Sequence, residues 1–358
     1  MIMTDAEFDL LRSLLETPSP SGFEQPVQRI WRKFLAEVAD EISGDVMGNA
    51  AALISGSGEK GLRVMLAAHC DEIGFMIRYI DEAGFLYFAP IGGVDAHLVP
   101  GQRILVHTAA GAVPGVVGKK PIHLMETKDR ETVVKFKNQF VDIGCSDRKQ
   151  AEALVSVGDP ITFAAGVERL EGGRVTARSF DDKVGIFIVA RVLEEVKRRG
   201  LLPVDLIGVS TVQEEVGLRG GGTSAYWVRP DLAIVVEAGF ATDFPEIDRK
   251  ETGDFRLGGG PILSRGANIH PRLFDLLLET ARRNNIPVQI LGEPRATGTD
   301  ANVIQLVRSG VATALVRVPL RYMHTPAEVL DLGDVDHAIH LLTEFLFRLD
   351  GRCSFIQV

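Results

Sequence analysis

The sequence predicts a layered α/β fold: a mostly parallel central sheet flanked by helices, with a small β-barrel-like unit inserted into it. Three observations predict this. Apolar runs at residues 62–68, 204–211, 232–236 and 311–318 alternate with helix-like segments, and continuous apolar runs of this length fit strands buried on both faces. The alternation breaks from about Gly74 to Ala165, where glycines, Pro90, Pro100, Pro114, Pro121 and Pro160 separate short valine-containing runs. The chain has 358 residues, more than the roughly 250–300 at which one core stops growing. The expected division is therefore an α/β unit built from residues 1–73 and 166–358, interrupted by a small β unit at 74–165.

Taken in order, Thr4 with Glu7 has capping-box spacing, and so does Ser21 with Glu24; Pro18 and Pro20 forbid one continuous helix between them. From Phe23 to about Val38, Val27, Ile30, Trp31, Phe34 and Leu35 recur at helical spacing. Within the insertion, runs at 102–107 and 113–117 read as short antiparallel strands joined by Ala109-Ala110-Gly111-Ala112. Further helices are expected at 183–199 (closed by Gly200), 271–284, 301–309 and 335–349. Pro271 suits a first turn and Asp334 a cap. The clusters Gly220-Gly221-Gly222 and Gly258-Gly259-Gly260 lack a following Gly-Lys-Ser/Thr, so they read as turns near the site rather than phosphate loops.

The formal net charge of -9 argues against nucleic-acid or anionic-membrane partners, which need a basic face. No stretch approaches the roughly 20 apolar residues of a membrane span. Three cysteines, Cys70, Cys145 and Cys353, make no disulfide framework. Asp5, Glu7 and Asp9 stand where a signal peptide would be basic and then apolar. These features together predict a cytoplasmic protein.

The informative pattern lies just past the end of each apolar run. Residues 62–68 lead into His69-Cys70-Asp71; 204–211 lead to Glu214-Glu215; 232–236 lead to Glu237; 311–318 are followed by His324. Asp181-Asp182 stands just ahead of the helix expected at 183–199. In open α/β sheets, ligands bind beyond the carboxyl ends of the strands, so these groups converge on one rim. A catalytic zinc ion takes three protein ligands. Two ions need six positions, which His69, Asp181, Glu215, Glu237 and His324 fill if one carboxylate bridges. Glu214 is left over, and a carboxylate beside the attacking water but free of metal is what a general base requires. Asp71, two residues past His69, faces the same side of an extended strand and can fix the ring's tautomer. Each feature alone has a blander explanation: a packed histidine, a solvated Glu-Glu pair, a helix start. Their convergence carries the reading. His97, His107, His123, His270, His337 and His340 lack partners at telling spacings and are left as ordinary histidines.

Ordered motifs along nearly the whole chain give this reading a family. They include Ala67-Ala68-His69-Cys70-Asp71-Glu72-Ile73-Gly74-Phe75, Ser179-Phe180-Asp181-Asp182-Lys183-Val184-Gly185 and Gln213-Glu214-Glu215-Val216-Gly217. Gly298-Thr299-Asp300-Ala301, Met323-His324-Thr325-Pro326 and, in the insertion, Pro114-Gly115-Val116-Val117-Gly118 continue the series. The chain resembles the family 42 metallopeptidases, tetrahedral aminopeptidases variously labelled glutamyl or deblocking aminopeptidase or cellulase. The resemblance implies a phosphorylase/hydrolase-like α/β domain and a dinuclear site for zinc, cobalt or manganese. Asp181 would bridge, His69 and Glu237 would complete one ion, Glu215 and His324 the other, and Glu214 would be the base. It also implies short peptide substrates and a homo-oligomer, commonly a hollow twelve-subunit tetrahedron assembled through the inserted domain. The position of Glu237 is often Asp in similar proteins, and Glu is one methylene longer. Competing readings are a related dinuclear carboxypeptidase or deacylase, a non-catalytic metal-binding scaffold, and a glycosidase, which leaves both histidines unexplained. Arg219, Arg256, Arg265 and Arg321 lie near the expected site loops and could favour acidic first residues.

Overall fold

The four apolar runs become adjacent parallel strands. The computed structural model describes residues 3–57, 61–350 and 353–356. Its main sheet has eight strands in the order Glu41–Gly44, Ala50–Ile54, Asp205–Thr211, Arg63–His69, Leu232–Phe240, Ala312–Leu320, Ile262–Gly266, Gln289–Glu293. The middle four run parallel. Antiparallel pairing enters where Ala50–Ile54 meets Asp205–Thr211 and where Ile262–Gly266 meets Ala312–Leu320. Every residue of the Arg63–His69 strand after Arg63 is buried, as is every residue of Leu232–Phe240 before Phe240. Such strands alternate no polar face because both faces are covered.

The cover is helical. Phe180–Arg199 lies across the central strands and packs against Leu332–Arg348, which also contacts Ala312–Leu320. Gly208 of the sheet lies directly against that long helix. A Cβ there would stand 2.8 Å from Leu193 Cδ1 and 2.9 Å from Val189 Cγ1, so a larger residue would push helix and sheet apart. Trp31 is fully buried and donates its Nε1–H to Ile186 O at 3.0 Å, which pins the helix Gln25–Leu35 to the same layer.

The insertion forms a closed six-stranded barrel in the order Gly74–Ile80, Leu86–Ile91, Phe140–Asp142, Gly111–Gly118, Arg103–Thr108, Pro160–Phe163. Its apolar core is separate from the main one. Phe75 packs edge-on against Phe88 and Phe163 at centroid distances of 5.0 and 5.3 Å, the arrangement ring quadrupoles favour. A third, three-stranded sheet joins Glu168–Arg169, Arg174–Ala177 and Glu328–Asp331.

Several local expectations change. Thr4 and Glu7 do form a capping box on the helix Asp5–Glu16. Ser21 and Glu24 do not: Ser21 donates to Asp71, and the Glu24 carboxylate receives Gly22 N–H and Gln213 N–H. Leu332–Arg348 is capped by Asp331, whereas Asp334 accepts from Gly258 and Gly260 N–H. The helix expected at 301–309 is only Ala301–Ile304. Gly220, Gly221 and Gly222 lie inside the helix Arg219–Val228, not in a turn. Close packing explains it, since a Cβ on Gly220 would collide with Val212 O and one on Gly221 would meet Asp300 Oδ1 at 2.5 Å.

Leu193 is fully buried where helix meets sheet. Leu193→Ala should therefore cost about 2–5 kcal/mol of unfolding free energy, read by equilibrium denaturation.

Candidate active site

The register of the parallel strands brings the functional groups level. Thr211 stands opposite His69, and Val235 stands opposite Ala67, two residues short of both Glu237 and His69. All five sequence-predicted ligands and both supporting carboxylates gather at this rim. His69 Nε2 lies 3.2 Å from Asp181 Oδ1, 3.2 Å from Glu237 Oε1 and 3.9 Å from Glu214 Oε2. His324 Nε2 lies 3.2 Å from the other Asp181 oxygen, Oδ2, and 3.3 Å from Glu215 Oε1. One carboxylate thus faces two imidazoles, and each imidazole has one further glutamate oxygen within 3.3 Å.

The far side of each ring decides which nitrogen carries hydrogen. His69 Nδ1 is 3.1 Å from Asp71 O and 3.4 Å from Asp71 Oδ1; His324 Nδ1 is 2.8 Å from Gly93 O. These are acceptors, so both Nδ1 atoms donate and a neutral ring points its Nε2 lone pair at carboxylate oxygens. That arrangement is repulsive unless the rings are protonated or a cation lies between. Imidazole ligands of metals are held in this way by an outer acceptor. Two ligand atoms about 2.0–2.1 Å from one tetrahedral cation stand roughly 3.3 Å apart, which matches the 3.2–3.3 Å separations here. Glu237 Oε2 is buried with no hydrogen-bond partner among the described residues. The donor set therefore fits divalent cations.

Titration follows the same crowding. Burial opposes charge on both rings, but the facing carboxylates prevail: His324 is pushed up to about 11 by Asp181 and Glu215, and His69 is raised by Glu237, Glu214, Asp181 and Asp71. Burial would raise Asp181, yet His324 and His69 hold it well below the usual range. Burial pushes Glu214 up to about 10; His69 opposes, while Glu237, Asp300 and Glu215 reinforce. Glu237 rises to about 7, mainly through burial.

The surroundings fix these groups. Asp71 accepts from Glu214 N–H at 3.0 Å, Glu215 N–H at 3.1 Å and Ser21 Oγ–H at 2.6 Å. One carboxylate thereby positions both glutamates as well as facing His69. Behind it, burial alone would raise Glu72, but Arg178 and Lys183 draw it down to about 2; Lys183 Nζ donates to Glu72 Oε1 at 2.8 Å and to Thr17 O at 2.6 Å. Ser179, Gln213, Tyr322 and His324 all have positive φ, between 57° and 63°. Such backbone costs about 1–3 kcal/mol per residue and clusters at functional sites.

Sequence reasoning missed Glu328. It is buried, and its two oxygens accept from His324 N–H at 2.9 Å and Asp181 N–H at 3.3 Å. Its one sequence signal was an acidic residue four positions past His324. Asp182, read only as a neighbour of Asp181, accepts from His69 N–H at 3.3 Å and Gly185 N–H at 3.2 Å. None of Arg219, Arg256, Arg265 and Arg321 lines the cavity of about 1050 Å³ that opens from the cluster. Arg321 is held by Asp243 through two hydrogen bonds of 2.7 and 2.6 Å, and Arg256 by Asp254.

An α/β sheet presenting paired imidazoles and carboxylates in a deep cavity defines a metal-dependent hydrolase. The family model described as M42 glutamyl aminopeptidase matches residues 48–341, and the chain belongs to that family. It is 37% identical over 346 residues to the lysyl aminopeptidase of Pyrococcus furiosus, covering 96% of this chain and 97% of the relative. The crystal structure of a TET aminopeptidase from a marine-sediment Thaumarchaeota archaeon superposes with a TM-score of 0.92 at 34% identity, covering 97% of each chain. The TET1 peptidase of Pyrococcus horikoshii, described as assembling into a tetrahedron or a large octahedral shell, gives 0.85 at 29% identity over 96% of this chain and all of that one. The protein is accordingly a peptide hydrolase of the metal-dependent aminopeptidase type. No helix among the described residues is long and apolar enough to cross a membrane.

With its raised value, His324 holds a proton on Nε2 at pH 7 in the cation-free protein, and a cation binding there must displace it. Titrating zinc calorimetrically in two buffers of different ionisation enthalpy should show net proton release at pH 7, and tighter binding as pH rises. Binding with no proton release would show that the rings are already neutral.

Proposed function

We propose that this chain removes the amino-terminal residue from short peptides with two divalent metal ions per subunit and Glu214 as general base. The observation that carries the reading is the single Asp181 carboxylate set 3.2 Å from each of two imidazoles. His69, Asp181 and Glu237 would hold one ion, and Asp181, Glu215 and His324 the other; mixed nitrogen and oxygen ligation suits zinc, cobalt or manganese. When bound, the ions supply Lewis-acid polarisation of the scissile carbonyl and a lowered pKa for the attacking water.

The remaining work falls to the chain's own residues. Glu214, left over by the ligand sets, takes the water's proton and passes it to the leaving nitrogen. Its backbone is held by Asp71, so the carboxylate returns to one place in each cycle. Asp71 also keeps the proton of His69 on Nδ1. The peptide's free α-amine would bind beside the ion held by His69 and Glu237, which gives the preference for chain ends. An acylated amine has lost the basic nitrogen, which separates this reading from a deacylase or carboxypeptidase: the aminoacyl anilide is cleaved and its N-acetyl form refused. The barrel spanning residues 74–165 serves assembly, by analogy with relatives described as dodecamers or shells. The absence of disulfides among Cys70, Cys145 and Cys353 fits the cytoplasm.

Glu214→Gln should retain two metal ions per chain by elemental analysis while turnover drops about 10²–10⁴-fold. Near-normal turnover in that variant would remove the base assignment, and one ion per chain in the native protein would remove the dinuclear one. Light scattering on the native protein should give a mass of many subunits; a mass near 38.9 kDa would remove the assembly role of the barrel.

A further inference from the structure

Beyond the metal-ligand cluster the cavity is walled by apolar groups, among them Phe244, Phe255, Ile262, Leu291, Leu320 and Met323. Three charged side chains line it outside the cluster: Glu293, Arg295 and Arg317. Arg295 is exposed to solvent. The other two are committed to each other. Arg317 Nη1 donates to Glu293 Oε2 at 2.7 Å and Nη2 to Glu293 Oε1 at 3.0 Å, and Nη1 also reaches Ser264 Oγ at 2.7 Å. This is the two-pronged guanidinium–carboxylate geometry that gives strong, directional pairs.

The pair lines the same cavity as the metal-ligand cluster. Arg317 is register partner to Glu237 on the adjacent strand, so it flanks a ligand of the ion beside which the substrate amine is proposed to bind. It is 7% exposed, and its stem is clamped across Gly239, whose Cβ would meet Arg317 Cβ at 2.7 Å and Cδ at 2.8 Å. Glu293 comes from the outermost strand, Gln289–Glu293, and meets it from the far wall.

We propose that the Arg317–Glu293 pair neutralises the side-chain pocket beside Glu237 and makes the enzyme select uncharged, apolar amino-terminal residues of the leucine, methionine and phenylalanine class. The inference rests on the aminopeptidase reading above and specifies its substrate. An acidic first residue needs Arg317, whose fork Glu293 already fills; a basic one needs Glu293, which Arg317 already occupies. Either would enter apolar walls whose buried charges are already paired, with Arg295 lying out in solvent, and a buried unpaired charge is strongly disfavoured. An apolar side chain displaces water from the walls and leaves the pair intact. The two halves of the pair are also opposite switches. Removing the charge of Glu293 frees a cation for acidic side chains, and removing Arg317 frees an anion for basic ones.

The test is a panel of leucyl, phenylalanyl, glutamyl and lysyl 4-nitroanilides on the cobalt- or zinc-loaded native enzyme, with Glu293→Gln and Arg317→Met alongside. The native enzyme should favour leucyl and phenylalanyl over both charged substrates by at least about tenfold in kcat/KM. Glu293→Gln should raise the glutamyl-to-leucyl ratio and Arg317→Met the lysyl-to-leucyl ratio, each by about tenfold or more. A native preference for glutamyl or lysyl substrate overturns the inference while leaving the aminopeptidase reading in place, and so do variants that keep the native ratios. No turnover of any anilide by metal-loaded native enzyme overturns both. Should Arg317→Met fail to fold, the native panel and Glu293→Gln, whose site is partly solvent-exposed, decide the matter alone.

Discussion

Everything at the rim of the sheet turns on one carboxylate that has to satisfy two imidazoles at once. Asp181 offers one oxygen to His69 and the other to His324, at equal distances of 3.2 Å, while Asp71 and Gly93 tie the opposite nitrogens. Without positive charge between them the groups conflict: rings are driven to hold protons, and Glu214 and Glu237 are driven to keep theirs. Native folding tolerates such a conflict because the surrounding contacts over-determine it. Glu328 holds the backbone of both Asp181 and His324, Asp71 that of Glu214 and Glu215, and Glu72 is locked between Arg178 and Lys183. A site stressed in this way is prepared for cations rather than shaped by them.

The fold supplies that preparation at low cost. Parallel strands buried on both faces share one direction, so residues that come after their last apolar positions meet without any long-range adjustment. His69, Glu214, Glu215 and Glu237 come from three neighbouring strands, and Thr211 opposite His69 sets their level. His324 arrives differently, on a turn of positive φ beyond the fourth strand, and needs Glu328 and the barrel's Gly93 to place it.

Those differences mark what the sequence could and could not disclose. The four sheet strands were legible because two-sided burial writes an unbroken apolar run, and four of the five ligands were legible because His or Glu stands past the end of each such run, Asp181 standing instead ahead of a helix. The barrel was legible from its loss of that pattern. The helix Arg219–Val228 was not, since its three glycines are weak helix formers, and two of them, Gly220 and Gly221, are required by contacts with Val212 and Asp300 made across the fold. Glu24 and Asp334 resembled caps because local spacing is all a sequence displays. In the folded chain both turn to backbone N–H groups far away in sequence, Gln213 for one and Gly258 and Gly260 for the other. Glu328 escaped for the same reason: nothing near it announces that one of its partners is the backbone of Asp181, 147 residues away.

The route of the chain through the barrel carries a mechanical implication. Entry at Gly74 and exit near Phe163 lie side by side, with Phe75 paired to Ile161, so the barrel hangs from the α/β body by a narrow neck. Yet the segment just after its second strand doubles back: Gly93 O receives His324 Nδ1–H, and Gly92 rests so close to Glu215 that a Cβ there would stand 3.0 Å from Glu215 Oε2. Any tilt of the barrel on that neck would therefore be felt by one imidazole and one glutamate.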